Sequence, residues 1–137
     1  MDKTGHTIFV VSSDSSLNAY IDQARAAIIC SGYSPVSYSN VRCDARSSNL
    51  DRSLRADLYK ADAVVILLSN DESGSRLQDN WALPEVPSIL NCGMRCLIVA
   101  TSTVTATQVQ GLSLSEKVVV IHAKDPAHLK KELTSKL

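Results

Sequence analysis

The fold of this chain is decided by residues 61–100, which read ADAVVILLSNDESGSRLQDNWALPEVPSILNCGMRCLIVA. This stretch holds two uninterrupted apolar runs, at residues 63–68 and 96–100, and both are rich in β-branched side chains. Such runs predict strands covered on both faces, as in a parallel sheet. A polar loop separates them, and a short helix is predicted around residues 84–92, ended by Gly93.

The same alternation extends outward in both directions. Strands are predicted at residues 7–11, 33–38 and 118–121, and helices over residues 17–28, around residues 50–58 and from Pro126 to about residue 133, while residues 104–115 are weakly patterned. Strands that alternate with helices predict an α/β fold, here a flavodoxin-like three-layer sandwich. Its five-stranded parallel sheet would have the order 2-1-3-4-5, with helices on both faces. Pro35 favours an edge position for strand 2, because proline cannot donate to a ladder.

Composition narrows the range of functions. The 137 residues fit one domain, spanning residues 1–137, and 45% of them are apolar. Fourteen basic residues balance fourteen acidic ones. Because proteins that bind nucleic acid or an anionic membrane usually carry an excess of basic residues, neither is expected as a partner. No apolar run approaches a membrane span, and the polar start is unlike a signal peptide. The four cysteines lack zinc-ligand spacing, which predicts free thiols, no metal site and a cytoplasmic protein.

A ligand site is expected where the carboxyl ends of strands 1 and 3 meet, at the switch point of the sheet. Strand 1 is followed by Ser12, Ser13 and Asp14, and strand 3 by Ser69. Hydroxyl and backbone groups of this kind can hold a phosphate at a helix N-terminus. A helix N-cap explains the serine-rich turn equally well, so both interpretations stay open.

Trp81 and Glu85 are the other candidate pair. Glu85 follows Trp81 by four positions, a spacing that would place both on one helical face. Pro84 and Pro87 are tolerated only near a helix start, so Glu85 is expected there, where the helix dipole favours its ionised form. An ionised carboxylate suits stabilisation of a sugar cation. The alternative is a capping glutamate beside a core tryptophan.

These residues resemble the Toll/interleukin receptor (TIR) superfamily. Family members carry a strand ending in Leu-Ser, then a variable loop, a Trp and a Glu four positions later, as at Leu68, Ser69, Trp81 and Glu85. The opening at residues 8–14 is similar to the first strand and loop of the family, and residues 61–65 resemble TIR-like effector-associated modules of signalling and defence proteins.

The resemblance implies a function and a set of roles. Glu85 would be the catalytic residue that cleaves the nicotinamide–ribose bond of NAD, which is then a substrate rather than a cofactor. Trp81 would stack on the nucleotide, and Ser12 and Ser13 would lie at the pocket rim. In the loop after strand 2, Arg42 and Arg46 would meet the diphosphate. The implied partner is a second copy of the chain or another TIR-like domain.

Three alternatives stay open. Many TIR domains are adaptors that act only by homotypic protein–protein interaction, and Asp79 and Ala82 depart from the family pattern around the tryptophan. A degenerate response-regulator receiver shares the strand order, with Asp14, Thr101 and Lys124 loosely placed, but it lacks a phospho-acceptor after strand 3. A nucleoside deoxyribosyltransferase-like enzyme also uses a glutamate on this helix, but its glycine-rich features are absent.

Overall fold

The computed structural model describes residues 6–12, 18–37, 59–68, 86–101, 104–110 and 115–137. Its strands are β1 (Thr7–Ser12), β2 (Ser34–Ser37), β3 (Ala63–Leu68), β4 (Arg95–Ala100) and β5 (Val119–His122). Its helices are α1 (Asn18–Cys30), α2 (Val86–Asn91), α3 (Ala106–Gln110) and α4 (Pro126–Lys136). The described elements follow one another as the sequence predicts, and Tyr59 and Lys60 are the described helical residues between β2 and β3.

All five strands are parallel and lie in the order β2-β1-β3-β4-β5. The predicted flavodoxin-like α/β fold is thereby confirmed. β2 is at the edge and contains Pro35, as expected for a residue without a backbone N–H. The chain passes from β1 to β2 on one side and then back to β3 on the other side of β1, so the switch point lies between β1 and β3.

Side chains alternate between the two faces of the sheet. Val64, Ile66 and Leu68 of β3 pack on one face with Val86 and Ile89 of α2. The intervening strand residues pack on the other face with Ile21 and Ile28 of α1 and with Leu129 and Leu133 of α4. Fully burying each of these large aliphatic side chains contributes roughly 1.5–3 kcal/mol. Two apolar interfaces thus enclose the sheet in a three-layer sandwich.

Two helices end in the same glycine motif. After α1, the N–H of Gly32 donates to the carbonyl of Ile29 and the N–H of Tyr33 to that of Ile28. After α2, Gly93 donates to Leu90 in the same way. Gly32 and Gly93 have φ values of 89° and 79°, a conformation that side chains disfavour. This is the Schellman arrangement, and it returns the chain to the sheet.

The differences from the predicted boundaries have local causes. Tyr33 lies outside β2 because its N–H completes the turn after α1, so the strand begins at Ser34. β5 begins one residue late, because the Val118 N–H donates to Ser115 within a turn. The weakly patterned stretch holds the short helix α3, in which Val109 is buried. The helix predicted around residues 50–58 lies outside the described residues.

Candidate functional site

The carboxyl ends of β1, β3 and β4 lie side by side. Ser12, the last residue of β1, pairs with Leu67 of β3, and Leu68 pairs with Ala100 at the end of β4. Because the strands are parallel, all three end at the same side of the sheet, which is the carboxyl edge. It is the edge at which ligands bind in open α/β sheets.

Most of the predicted site residues lie outside the described part of the chain. Only the backbone of Ser12 is described, as the end of β1. The remaining predicted site residues are Ser13, Asp14, Arg42, Arg46, Ser69, Trp81 and Glu85, and their positions stay predictions.

Sequence neighbours nevertheless relate several of them to described elements. Ser13 directly follows β1, Ser69 directly follows β3, and Glu85 directly precedes Val86, the first residue of α2. α2 ends at the Gly93 turn, which leads into the first residue of β4 at the opposite, amino edge. Val86 is therefore the end of α2 that lies away from the amino edge.

A buried threonine fixes the carboxyl edge between β3 and β4. Thr101 is 2% exposed, and its hydroxyl donates to the Leu68 carbonyl oxygen at 2.7 Å. The Thr101 N–H donates to the same oxygen at 3.1 Å. β5 joins this edge through the Ala123 N–H, which donates to Ala100. Thr101 was singled out in the sequence as receiver-like, and here its hydroxyl holds two strand ends together.

The turn after β5 also has a structural role. Asp125 is the N-cap of α4, where its carboxylate accepts the His128 N–H at 2.7 Å, and Pro126 begins the helix. Proline at the first helical position loses no hydrogen bond, because that N–H has no partner within the helix. The Lys124-Asp125-Pro126 segment that looks receiver-like is thus sufficiently explained as a helix start.

A second polar cluster lies at the amino edge and was not predicted from the sequence. Asp62 Oδ2 accepts the Thr7 N–H at 3.0 Å and lies 3.2 Å from His6 Nδ1. The His6 ring meets the Tyr33 ring edge-on, with centroids 6.3 Å apart. These contacts connect the start of β1 to the segments before β2 and β3. The side chains of His6 and Asp62 are both about half exposed, so the cluster is a surface contact between strands.

The described cysteines are unpaired. Cys30 and Cys92 are exposed, whereas Cys96 of β4 is buried and free, and burial raises the pKa of its thiol to about 11. A buried neutral thiol is a poor nucleophile. Across the described ranges, no group of three His, Cys, Asp or Glu side chains could hold a metal ion.

None of the helices in the described part of the chain combines the length and apolar character needed to cross a membrane.

Comparison with known proteins bears on the fold and not on the function. No protein-family model matches the chain, and no curated protein matches it. A similar solved structure is an oxidoreductase from Corynebacterium diphtheriae, with a TM-score of 0.53 and 14% sequence identity over 95% of this chain and 91% of that one. Likeness at this identity shows a shared α/β fold and nothing about chemistry.

Proposed function

We propose that this chain is a TIR-like signalling and defence module that cleaves the nicotinamide–ribose bond of NAD when it self-associates. One observation supports the proposal most. The sheet order places the ends of β1 and β3 side by side, with Ser12 paired to Leu67, and the segments with the TIR-like residues begin beyond those ends in the sequence. The helix that follows Glu85 begins at Val86.

The chemistry requires one well-placed carboxylate. The bond between the ribose C1′ and the nicotinamide nitrogen breaks, and nicotinamide leaves with the electron pair. Positive charge then develops on the ribose, and the Glu85 carboxylate would stabilise it, as in glycosidases. Water adds at C1′ and releases its proton to solvent, so the products are nicotinamide, ADP-ribose and a proton.

Binding would use the other predicted residues. The indole of Trp81 would stack on the nucleotide, and the guanidinium groups of Arg42 and Arg46 would pair with the diphosphate. Ser12, Ser13 and Asp14 would border the pocket with Ser69 from the neighbouring strand. Self-association belongs to the proposal because the resemblance implies a composite site shared between two copies.

The proposal is tested by incubating concentrated protein with NAD and measuring free nicotinamide. We expect release by the wild type, and a loss of at least about a hundredfold in Glu85→Ala, because the transition state loses its principal charge stabilisation. Glu116→Ala is the matched control, since Glu116 is an exposed glutamate in the turn before β5, at the amino edge. It should release nicotinamide at the wild-type rate.

The contradicting result is a wild type that releases no nicotinamide, even when a fused oligomerisation domain forces it to cluster. Homotypic association without turnover would identify a TIR-like adaptor. A mass increase after incubation with acetyl phosphate and Mg²⁺ would instead identify an active receiver.

A further inference from the structure

The start of α4 is closed by reciprocal hydrogen bonds that involve a histidine. Asp125 has extended backbone, with φ −157° and ψ 172°, and its carboxylate accepts the His128 N–H at 2.7 Å. In return, His128 Nδ1 accepts the Lys124 N–H at 3.2 Å. The arrangement resembles a capping box, in which the third helical residue is usually Glu or Gln and bonds back to the N–H of the N-cap residue. Here the third helical residue is His128, and it accepts the N–H of Lys124, one residue before the N-cap Asp125.

The ring contacts define one protonation state. A ring nitrogen accepts a hydrogen bond only when it carries no proton, so Nδ1 must be bare and the proton must be on Nε2. Nε2 lies 3.5 Å from Glu132 Oε1, one helical turn further along α4. The Glu132 carboxylate on one side of the ring and the Lys124 N–H on the other thus favour the same neutral tautomer, with the proton on Nε2.

We propose that this cap is a pH-sensitive latch, closed while His128 is neutral and opened when the ring is protonated. When Nδ1 carries a proton, it can no longer accept the Lys124 N–H. Two N–H donors, one on Nδ1 and one on the Lys124 backbone, then face each other. The positive ring also lies in the first turn of α4, where the helix dipole disfavours a cation. Histidine is the side chain suited to this role, because it ordinarily changes charge between about pH 5 and about pH 8.

Two carboxylates contact His128. Glu132 Oε1 lies 3.5 Å from the ring Nε2, and the Asp125 carboxylate accepts the backbone N–H of His128. α4 packs against α1 and β5. The titratable or charged side chains on those two elements are Tyr20, Asp22, Arg25, Cys30 and His122. Opening is assigned to the loss of the Nδ1 acceptor of the Lys124 N–H.

The latch lies at the carboxyl edge, where β5 ends at His122 and the chain turns into α4. Its opening would loosen the turn at residues 123–125 while Leu129 and Leu133 stay buried under the sheet. These contacts involve none of the residues assigned to NAD cleavage, so the latch does not depend on that activity.

The test is nuclear magnetic resonance on uniformly ¹⁵N-labelled protein between about pH 8 and about pH 5. Ring nitrogen shifts at the upper pH should identify the Nε2–H tautomer of His128. As the ring protonates, the protection factor of the Lys124 amide, corrected for intrinsic exchange, should fall about fivefold to tenfold, the effect of losing one hydrogen bond. In His128→Gln the side chain still offers an acceptor and does not titrate, so protection should be independent of pH.

His122→Gln is the matched control, because His122 is an exposed histidine on the preceding strand. It should keep the wild-type response of the Lys124 amide. The proposal is overturned by an Nδ1–H tautomer at the upper pH, by constant Lys124 protection while the His128 ring titrates, or by a response that disappears in His122→Gln.

Discussion

The Thr101 hydroxyl and the Leu68 carbonyl oxygen are joined by a buried hydrogen bond of 2.7 Å. Thirty-three positions separate the two residues in the sequence, and the bond ties the end of β4 to the end of β3. Leu68 is followed by Ser69, the first predicted site residue of that loop. The bond therefore holds the point from which the candidate site loop departs.

Thr101→Val keeps the shape of the side chain and removes this bond. We expect the free energy of unfolding to fall by about 1 kcal/mol, because the Leu68 oxygen keeps the Thr101 N–H as a donor. Urea denaturation measures the change. Thr101→Ser, which retains a hydroxyl, should lose less stability than Thr101→Val. Equal stability of the wild type and the valine variant would show that the bond contributes nothing.

Asp62 should stabilise the amino edge through its two contacts. Asp62→Ala removes the acceptor of the Thr7 N–H and the partner of His6, and we expect a loss of about 1–2 kcal/mol in the free energy of unfolding. Asp22→Ala on α1 is the matched control, because it removes an exposed aspartate that lies on a helix and should change stability by less than about 0.5 kcal/mol. Equal effects of the two substitutions would contradict this role of Asp62.

Cys96 should be protected from alkylation in the folded protein. At neutral pH, iodoacetamide should modify the exposed Cys30 and Cys92, while Cys96 reacts only after unfolding. Peptide mass spectrometry locates the modified residues. Rapid modification of Cys96 without unfolding would contradict its burial.

The same thiol predicts a loss of stability at alkaline pH. Burial raises the pKa of Cys96 from 9.0 to about 11, so the folded protein retains a proton that the unfolded chain has released. The free energy of unfolding should therefore fall as pH rises from about 9 to about 11. Cys96→Ala should show a shallower decline over this range. Parallel curves for the two proteins would show that the thiol is not the cause.

Local sequence patterns were sufficient to predict the sheet. The apolar run of β3 has the predicted bounds, Ala63–Leu68, because it is buried on both faces and needs no other context. Pro35 indicated the edge position of β2 through its missing N–H. The predicted start of β5 was wrong by one residue, because the apolar side chain of Val118 does not reveal that its N–H belongs to a turn.

The polar ties could not be predicted in the same way. Asp62 and Thr7 are 55 positions apart, and only the pairing of β1 with β3 brings them together. Thr101 was noticed for its position after β4, but its bond to Leu68 depends on a neighbouring strand. The roles of Glu85 and Trp81 stay predictions from the resemblance, because both lie outside the described residues.

The most direct test of the central claim, that the carboxyl edge binds NAD, is to map amide shifts in ¹⁵N-labelled Glu85→Gln protein on addition of NAD. This variant should bind the nucleotide without consuming it. We predict that the largest shifts fall on Ser12, Leu68 and Thr101, at the ends of β1, β3 and β4. Shifts confined to Thr7, Asp62 and Arg95 at the amino edge, or no shifts at millimolar NAD, would contradict the claim.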